Sequence, residues 1–176
     1  MLNAVKDFLP AIKAVPGVEF IGLIGSITRE SPNPKDIDYV LCVMPSTDLS
    51  ELGKIFRKIS GRMTQIGKGA DMFVFDSENG EYLGRICSYR DCRPGIRRCD
   101  ADHCGMRAYL KDDLSTIRLP AFVRKKVPVE LYPKLRYNPP DAPDDLKQIL
   151  LSELTPPAAT RTNQTLYSTG NRMSKS

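Results

Sequence analysis

Three aspartates and a Gly-Ser pair carry most of the chemistry legible in this chain. Phe20 to Val43 reads FIGLIGSITRESPNPKDIDYVLCV: an apolar strand, a Gly25-Ser26 turn, nine intervening residues, then Asp36-Ile37-Asp38 opening a second apolar strand. Side chains alternate across a strand, so Asp36 and Asp38 share one face. Two adjacent carboxylates repel each other, and a divalent cation between them removes the conflict; an oxygen ligand set of this kind suits Mg²⁺. Glycine lets a polyphosphate approach the backbone closely, and the N–H groups of a helix starting after the turn favour an anion. A phosphate cradle and metal carboxylates on neighbouring strands form the layout that phosphoryl or nucleotidyl transfer needs.

Gly25-Ser26, the nine-residue spacer and Asp36-x-Asp38 together resemble the signature of the polymerase-beta-type nucleotidyltransferase superfamily, in particular its small stand-alone "minimal" members. The resemblance covers roughly residues 18 to 76. It implies that Gly25 and Ser26 hold the triphosphate of a nucleotide and that Asp36 and Asp38 bind two Mg²⁺ ions. It also implies a third carboxylate on a later strand. Asp71, in GADMFVFD, begins an apolar run after one predicted helix and takes that role, with Asp76 and Glu130 as rivals because each also borders an apolar run. Arg29 and Lys35, close in sequence to the pair and the aspartates, are candidates for offsetting charge on the nucleotide. Many members carry small residues where this chain has Ile27-Thr28-Arg29, and serine where it has Lys35.

A second group of chemically active residues lies further on. Cys87 and Cys92 are separated by four residues, as are Cys99 and Cys104, and His103 sits inside the second pair. Where thiols stay reduced, paired spacing of this kind favours a metal over disulfides, and zinc is the natural thiolate-bound ion. The expected ligands are Cys87, Cys92, Cys99 and Cys104, with His103 replacing Cys104 as the alternative. Buried cysteines beside an incidental histidine, or a redox disulfide pair, are the competing readings. Cys42, in the second strand, reads as core.

The elements that must position these groups follow from periodicity and caps. Leu2, Val5, Leu9 and Ile12 predict a helix over 2–14, stopped by Pro16-Gly17. Strands are expected at about 18–24, 37–44 and 70–75, with 82–89 pairing back across a Ser77–Gly80 turn. Leu49, Leu52, Ile55, Phe56 and Ile59 predict a helix over 48–60, with Asp48 and Glu51 as a capping box and Gly61 at its end. Met106–Leu110 and Val127–Tyr132 read as short strands, and 143–154 as a helix. The fold class is α/β (α+β): a mixed-sheet nucleotidyltransferase core over 1–84 with flanking helices, a Cys- and Arg-rich insert over 85–107 forming a small zinc-stapled lobe, strands and a helix over 108–154 completing the domain, and a tail over 155–176 whose Pro, Thr, Ser and Asn content predicts disorder.

Composition bounds the remaining possibilities. With 176 residues and 41% hydrophobic content, the chain suits one domain plus appendages; Trp is absent and 14 prolines imply irregular connections. No apolar run approaches a membrane span, and the N-terminus lacks the pattern of a secretory signal, so a cytoplasmic setting is expected. The net charge of +5 is concentrated around Arg85, Arg90, Arg93, Arg97 and Arg98, and again between Arg118 and Arg136. Basic surface of this kind attracts nucleotides, RNA or acidic proteins.

Two functional expectations result. The first is a Mg²⁺-dependent nucleotidyltransferase, moving a nucleoside monophosphate from a triphosphate to a hydroxyl of a protein, RNA or small molecule. The second is a non-catalytic, antitoxin-like module on the same fold that binds nucleic acid or a protein partner. Three carboxylates gathered without purpose only cost stability, which favours the first.

Overall fold

The computed structural model describes residues 1–29, 31, 33–90, 92, 107–111, 120, 123 and 127–137. Its elements in chain order are α1 (Leu2–Lys13), β1 (Val18–Ile24), a single 3-10 turn (Ser26–Thr28), β2 (Asp36–Val43), α2 (Leu49–Gln65), β3 (Gly69–Asp76), β4 (Tyr82–Ile86), β5 (Leu110–Lys111), β6 (Val129–Tyr132) and β7 (Arg136–Tyr137). The strands form one mixed sheet in the order β5-β4-β3-β2-β1-β6-β7. Among the described strands only β2 and β3 run parallel, joined through α2 as a parallel pair requires. The α/β expectation holds at this level: a mixed sheet with two helices. Among the described residues, no helix is long and apolar enough to cross a membrane.

Both helices pack on one face of the sheet. Leu9 and Ile12 of α1 and Leu52, Phe56, Ile59 and Met63 of α2 meet Ile21, Leu23, Ile37, Tyr39, Leu41, Met72 and Val74 in one buried cluster. Asp7 of α1 and Arg62 of α2 clasp the helices together at 2.5 Å on the outside. The opposite face carries a smaller cluster of Val40, Cys42, Phe73, Phe75, Tyr82 and Val127. Cys42 is thus core, as expected, but core of this second layer.

α2 follows its local sequence signals only in part. Asp48 does cap it, accepting from the Ser50 N–H at 2.9 Å and the Ser50 hydroxyl at 2.8 Å. Glu51 pairs with Lys54 instead of reaching back to the cap. The helix also runs through Gly61 to Gln65. Burying Met63 is worth roughly 1.5–3 kcal/mol, more than the ~1 kcal/mol that an exposed helical glycine costs. Gly67, at φ +67°, is the actual terminator: its N–H bonds to the Thr64 carbonyl and that of Lys68 to the Met63 carbonyl, satisfying the last turn. The expected strand over 82–89 ends earlier, at Ile86, and that over 127–132 begins later, at Val129. The predicted helix over 143–154 and the predicted tail lie outside the described residues.

Candidate functional site

The parallel register sets the site. Asp36 pairs with Gly69, Asp38 with Asp71, Val40 with Phe73 and Cys42 with Phe75. Asp36, Asp38 and Asp71 therefore occupy the same sheet face at one end of β2 and β3, the face turned away from the helices. Farther along the same face the row becomes apolar, so the carboxylates sit at the mouth of the second hydrophobic layer.

The carboxylates act on one another through their charges. Asp38 is pushed up from 3.8 to about 6, first by burial and then by the charges of Asp71 and Asp36, with Arg85 pulling the other way. Arg85, on β4 in register with Phe73, donates from Nη1 to Oδ1 of Asp71 at 2.7 Å. Among the described residues, no three His, Cys, Asp or Glu side chains are already closed into a metal-holding group. Asp38 is raised first by burial and then by two like charges, and Asp36, Asp38 and Asp71 are the hard-oxygen groups that could hold a divalent cation.

Two glycines make room for the carboxylates. Gly25 has φ +81°, and a Cβ there would lie 2.2 Å from Oδ2 of Asp38. The Gly-Ser turn thus abuts the central carboxylate directly. Gly69 does the same on the other strand: a Cβ would lie 2.2 Å from Oδ1 of Asp36. The sequence singled out Gly25 and passed over Gly69, whose role follows only from the strand register.

The turn differs from expectation in one respect. Ser26 opens a single 3-10 turn of three residues, where an anion-favouring helix was expected. Thr28 closes it, its hydroxyl donating to the Gly25 carbonyl at 2.9 Å, and Arg29 Nε reaches the same oxygen at 3.4 Å. Thr28 fills the turn with its own hydrogen bond, and the chain then leaves in an extended conformation at Arg29. Ser26 is half-buried; Arg29 and Lys35 are exposed. The Lys35 carbonyl accepts from the Gly69 N–H at 3.1 Å, stitching the approaches to β2 and β3 together.

The rival carboxylates go elsewhere. Asp76 is buried at the far end of β3, opposite Val43, where Oδ1 accepts from the N–H groups of Glu78 and Asn79 and so builds the turn into β4. Glu130 lies on β6, beyond β1 from the aspartates, paired with Gly22 and with Arg136. Asp71 is the carboxylate that the register brings to Asp38. Arg85 is the site residue missed in sequence, where it appeared only as one member of a basic cluster. A lone charge inside YLGRI, in a strand pairing back on the Asp71 strand, was the available signal.

Of the four expected zinc ligands, Cys99 and Cys104, together with the alternative His103, lie outside the described residues. Cys87 and Cys92 share one neighbour. Tyr109, in a left-handed conformation at φ 65°, donates its N–H to Sγ of Cys92 at 3.0 Å and accepts from the Cys87 N–H at 2.8 Å. Sγ of Cys87 in turn accepts from the Tyr89 N–H at 3.4 Å. Neither thiol is in a disulfide.

Comparison with family models, with curated proteins and with solved structures returns no match to this chain.

Proposed function

We propose that the chain is a Mg²⁺-dependent nucleotidyltransferase, and that its core is of the polymerase-beta type its motif resembles. The observation that carries this reading is the juxtaposition of Gly25, Asp38 and Asp71: a glycine turn against the central carboxylate, and the third carboxylate in register beside it. Asp36, Asp38 and Asp71 would hold the metal ions. When bound, such ions supply charge stabilisation to the phosphates and lower the pKa of an acceptor hydroxyl.

The reaction joins an acceptor hydroxyl oxygen to the α-phosphorus of a nucleoside triphosphate while the bond from that phosphorus to the pyrophosphate oxygen breaks. Gly25 and Ser26 would lie along the β- and γ-phosphates, where the missing side chain permits close approach. Asp71 would take the acceptor's proton. Arg29 and Lys35, exposed at the two ends of the loop between turn and carboxylates, would offset the charge of the departing pyrophosphate. The acceptor belongs to the hydroxyl-bearing proteins, RNAs or small molecules that a basic chain attracts.

The cysteine segment would be a structural zinc lobe on this core, held by Cys87, Cys92, Cys99 and Cys104 or, in place of the last, His103. N–H···S bonds to Cys87 and Cys92 are the interactions that stabilise thiolate sulfur and orient it. Elemental analysis of the purified chain finds about one zinc if this is right; no zinc with four freely titratable thiols refutes it.

The catalytic reading is tested by incubating the protein with α-labelled nucleoside triphosphates, Mg²⁺ and cell extract. A labelled product formed by the wild type and not by Asp36→Asn/Asp38→Asn supports it. Equal labelling by both proteins refutes it.

A further inference from the structure

We propose that Arg85 is a positioning residue: a built-in counter-charge that holds Asp71 in the metal-free protein and must release it when a divalent cation arrives, thereby setting how tightly the site takes the cation. The inference rests on the reading of Asp36, Asp38 and Asp71 as cation ligands.

The geometry is specific. Arg85 projects from β4, one strand beyond Asp71, at 20% side-chain exposure, and its guanidinium reaches along the face to Asp71 at 2.7 Å. Three carboxylates on one face need positive charge nearby, and the strands β2 and β3 that carry them offer none on that face within the apolar row of Val40, Cys42, Phe73 and Phe75. β4 provides it. The same guanidinium acts on Asp38, opposing the charge that Asp71 and Asp36 place there. An oxygen already accepting from a guanidinium is a poorer ligand. A cation at the ~2.1 Å expected of Mg²⁺ would also stand close to another positive charge. Occupation of the site and the Arg85–Asp71 contact are therefore in competition. Once displaced, Arg85 would stand beside Lys111, its register partner on β5, next to whatever anion the cations carry.

A purely structural ion pair predicts something different. Removing it would lower stability equally with and without metal and would leave metal affinity unchanged. The test is a Mn²⁺ titration of the full chain, following free Mn²⁺ by electron paramagnetic resonance, on wild type, Arg85→Gln, Arg85→Lys and Asp71→Asn. Arg85→Gln should bind Mn²⁺ about tenfold more tightly, since a unit charge is removed from a partly screened site. Its Tm should fall without metal and rise more on adding Mn²⁺ than that of wild type. If Arg85→Gln does not fold, Arg85→Lys reads the same quantity; lysine keeps the charge but loses the planar fork, and about threefold tighter binding is expected. Equal or weaker Mn²⁺ binding by the folded Arg85 variants overturns the proposal. If that happens while Asp71→Asn still abolishes binding, only the role of Arg85 falls. If wild type itself binds no Mn²⁺, or Asp71→Asn binds it as well as wild type does, the carboxylate reading falls and this inference with it.

Discussion

The two faces of β2 and β3 are made from alternate residues of the same strands, yet they obey different rules. On the helix-covered face, Ile37, Tyr39, Leu41, Val43, Met72 and Val74 are wholly buried. On the other face, Val40, Cys42, Phe73 and Phe75 continue that logic for half the strand length, and then Asp36, Asp38 and Asp71 break it, with Arg85 of the neighbouring β4 beside them. One face is chosen by volume and fit. The other accepts mutual repulsion at one end, which a fold gains nothing from unless something else is meant to bind there. The comparison separates the residues that make the chain fold from those to which the proposed function assigns the chemistry.

The strongest way to break that separation is Asp38→Asn. Nucleotide transfer should fall about 10³-fold or more, the loss of several kcal/mol of charge stabilisation at the reacting centre. Far-UV circular dichroism should be unchanged. A transfer rate within a few-fold of wild type would show that the charged end of the face is not the working site. The mirror experiment is Leu52→Ala beneath α2. It should cost about 2–5 kcal/mol in urea unfolding while leaving transfer per folded molecule intact. Loss of transfer in the folded fraction would mean the two faces are more tightly coupled than their separate clusters suggest.

The charged end should also reveal itself through pH. Asp38 holds its proton up to about 6 in the folded chain against 3.8 ordinarily. Its contribution to stability is therefore fully present below pH 4 and is lost as pH rises through 6. Because the group is only partly buried, the loss is discounted for solvent screening to about 1–2 kcal/mol. Metal-free wild type should accordingly be less stable than Asp38→Asn at pH 7.5, and the two should converge near pH 4. A gap independent of pH would mean that Asp38 is not the strained group. The smallest effect lies on the covered face. The Tyr39 hydroxyl is fully buried and finds no hydrogen-bond partner among the described residues, and burial pushes its pKa well up. Tyr39→Phe should leave stability unchanged or raise it by about 1 kcal/mol. A loss of that size would reveal a partner, such as a bound water.

Much of this contrast was legible in the sequence, for a physical reason. Period-two alternation in DIDYVLCV assigns Asp36 and Asp38 to one face without knowing which strands pair, whereas Asp71 entered only as the third carboxylate that the resemblance implies, and the pairing of β2 with β3 puts it beside Asp38. The stripe on α2 and the Asp48 cap were equally local. What depended on pairing was not legible. Arg85 joins Asp71 only because β4 returns along β3, and Gly69 matters only because it is opposite Asp36. The two-residue strands β5 and β7 carry no period to read. Gly61 carries the same local terminator signal as Gly67, and only the burial of Met63 decides between them.

The pairing of β1 has a consequence for how the chain is made. One edge of β1 meets β2 within about twenty residues, but its other edge waits for β6, where Ile21 finds Tyr132, 111 residues later. At synthesis rates of about 5–20 residues per second, that edge is an open hydrogen-bonding template for roughly 5–20 s on each ribosome. Gly22 lies in the middle of it, without a side chain to guard the strand until Val127 comes to lie over it. The half of the sheet that carries the carboxylates can therefore assemble before β6 is made, and the half-made protein is most exposed to wrong pairing on the β1 side.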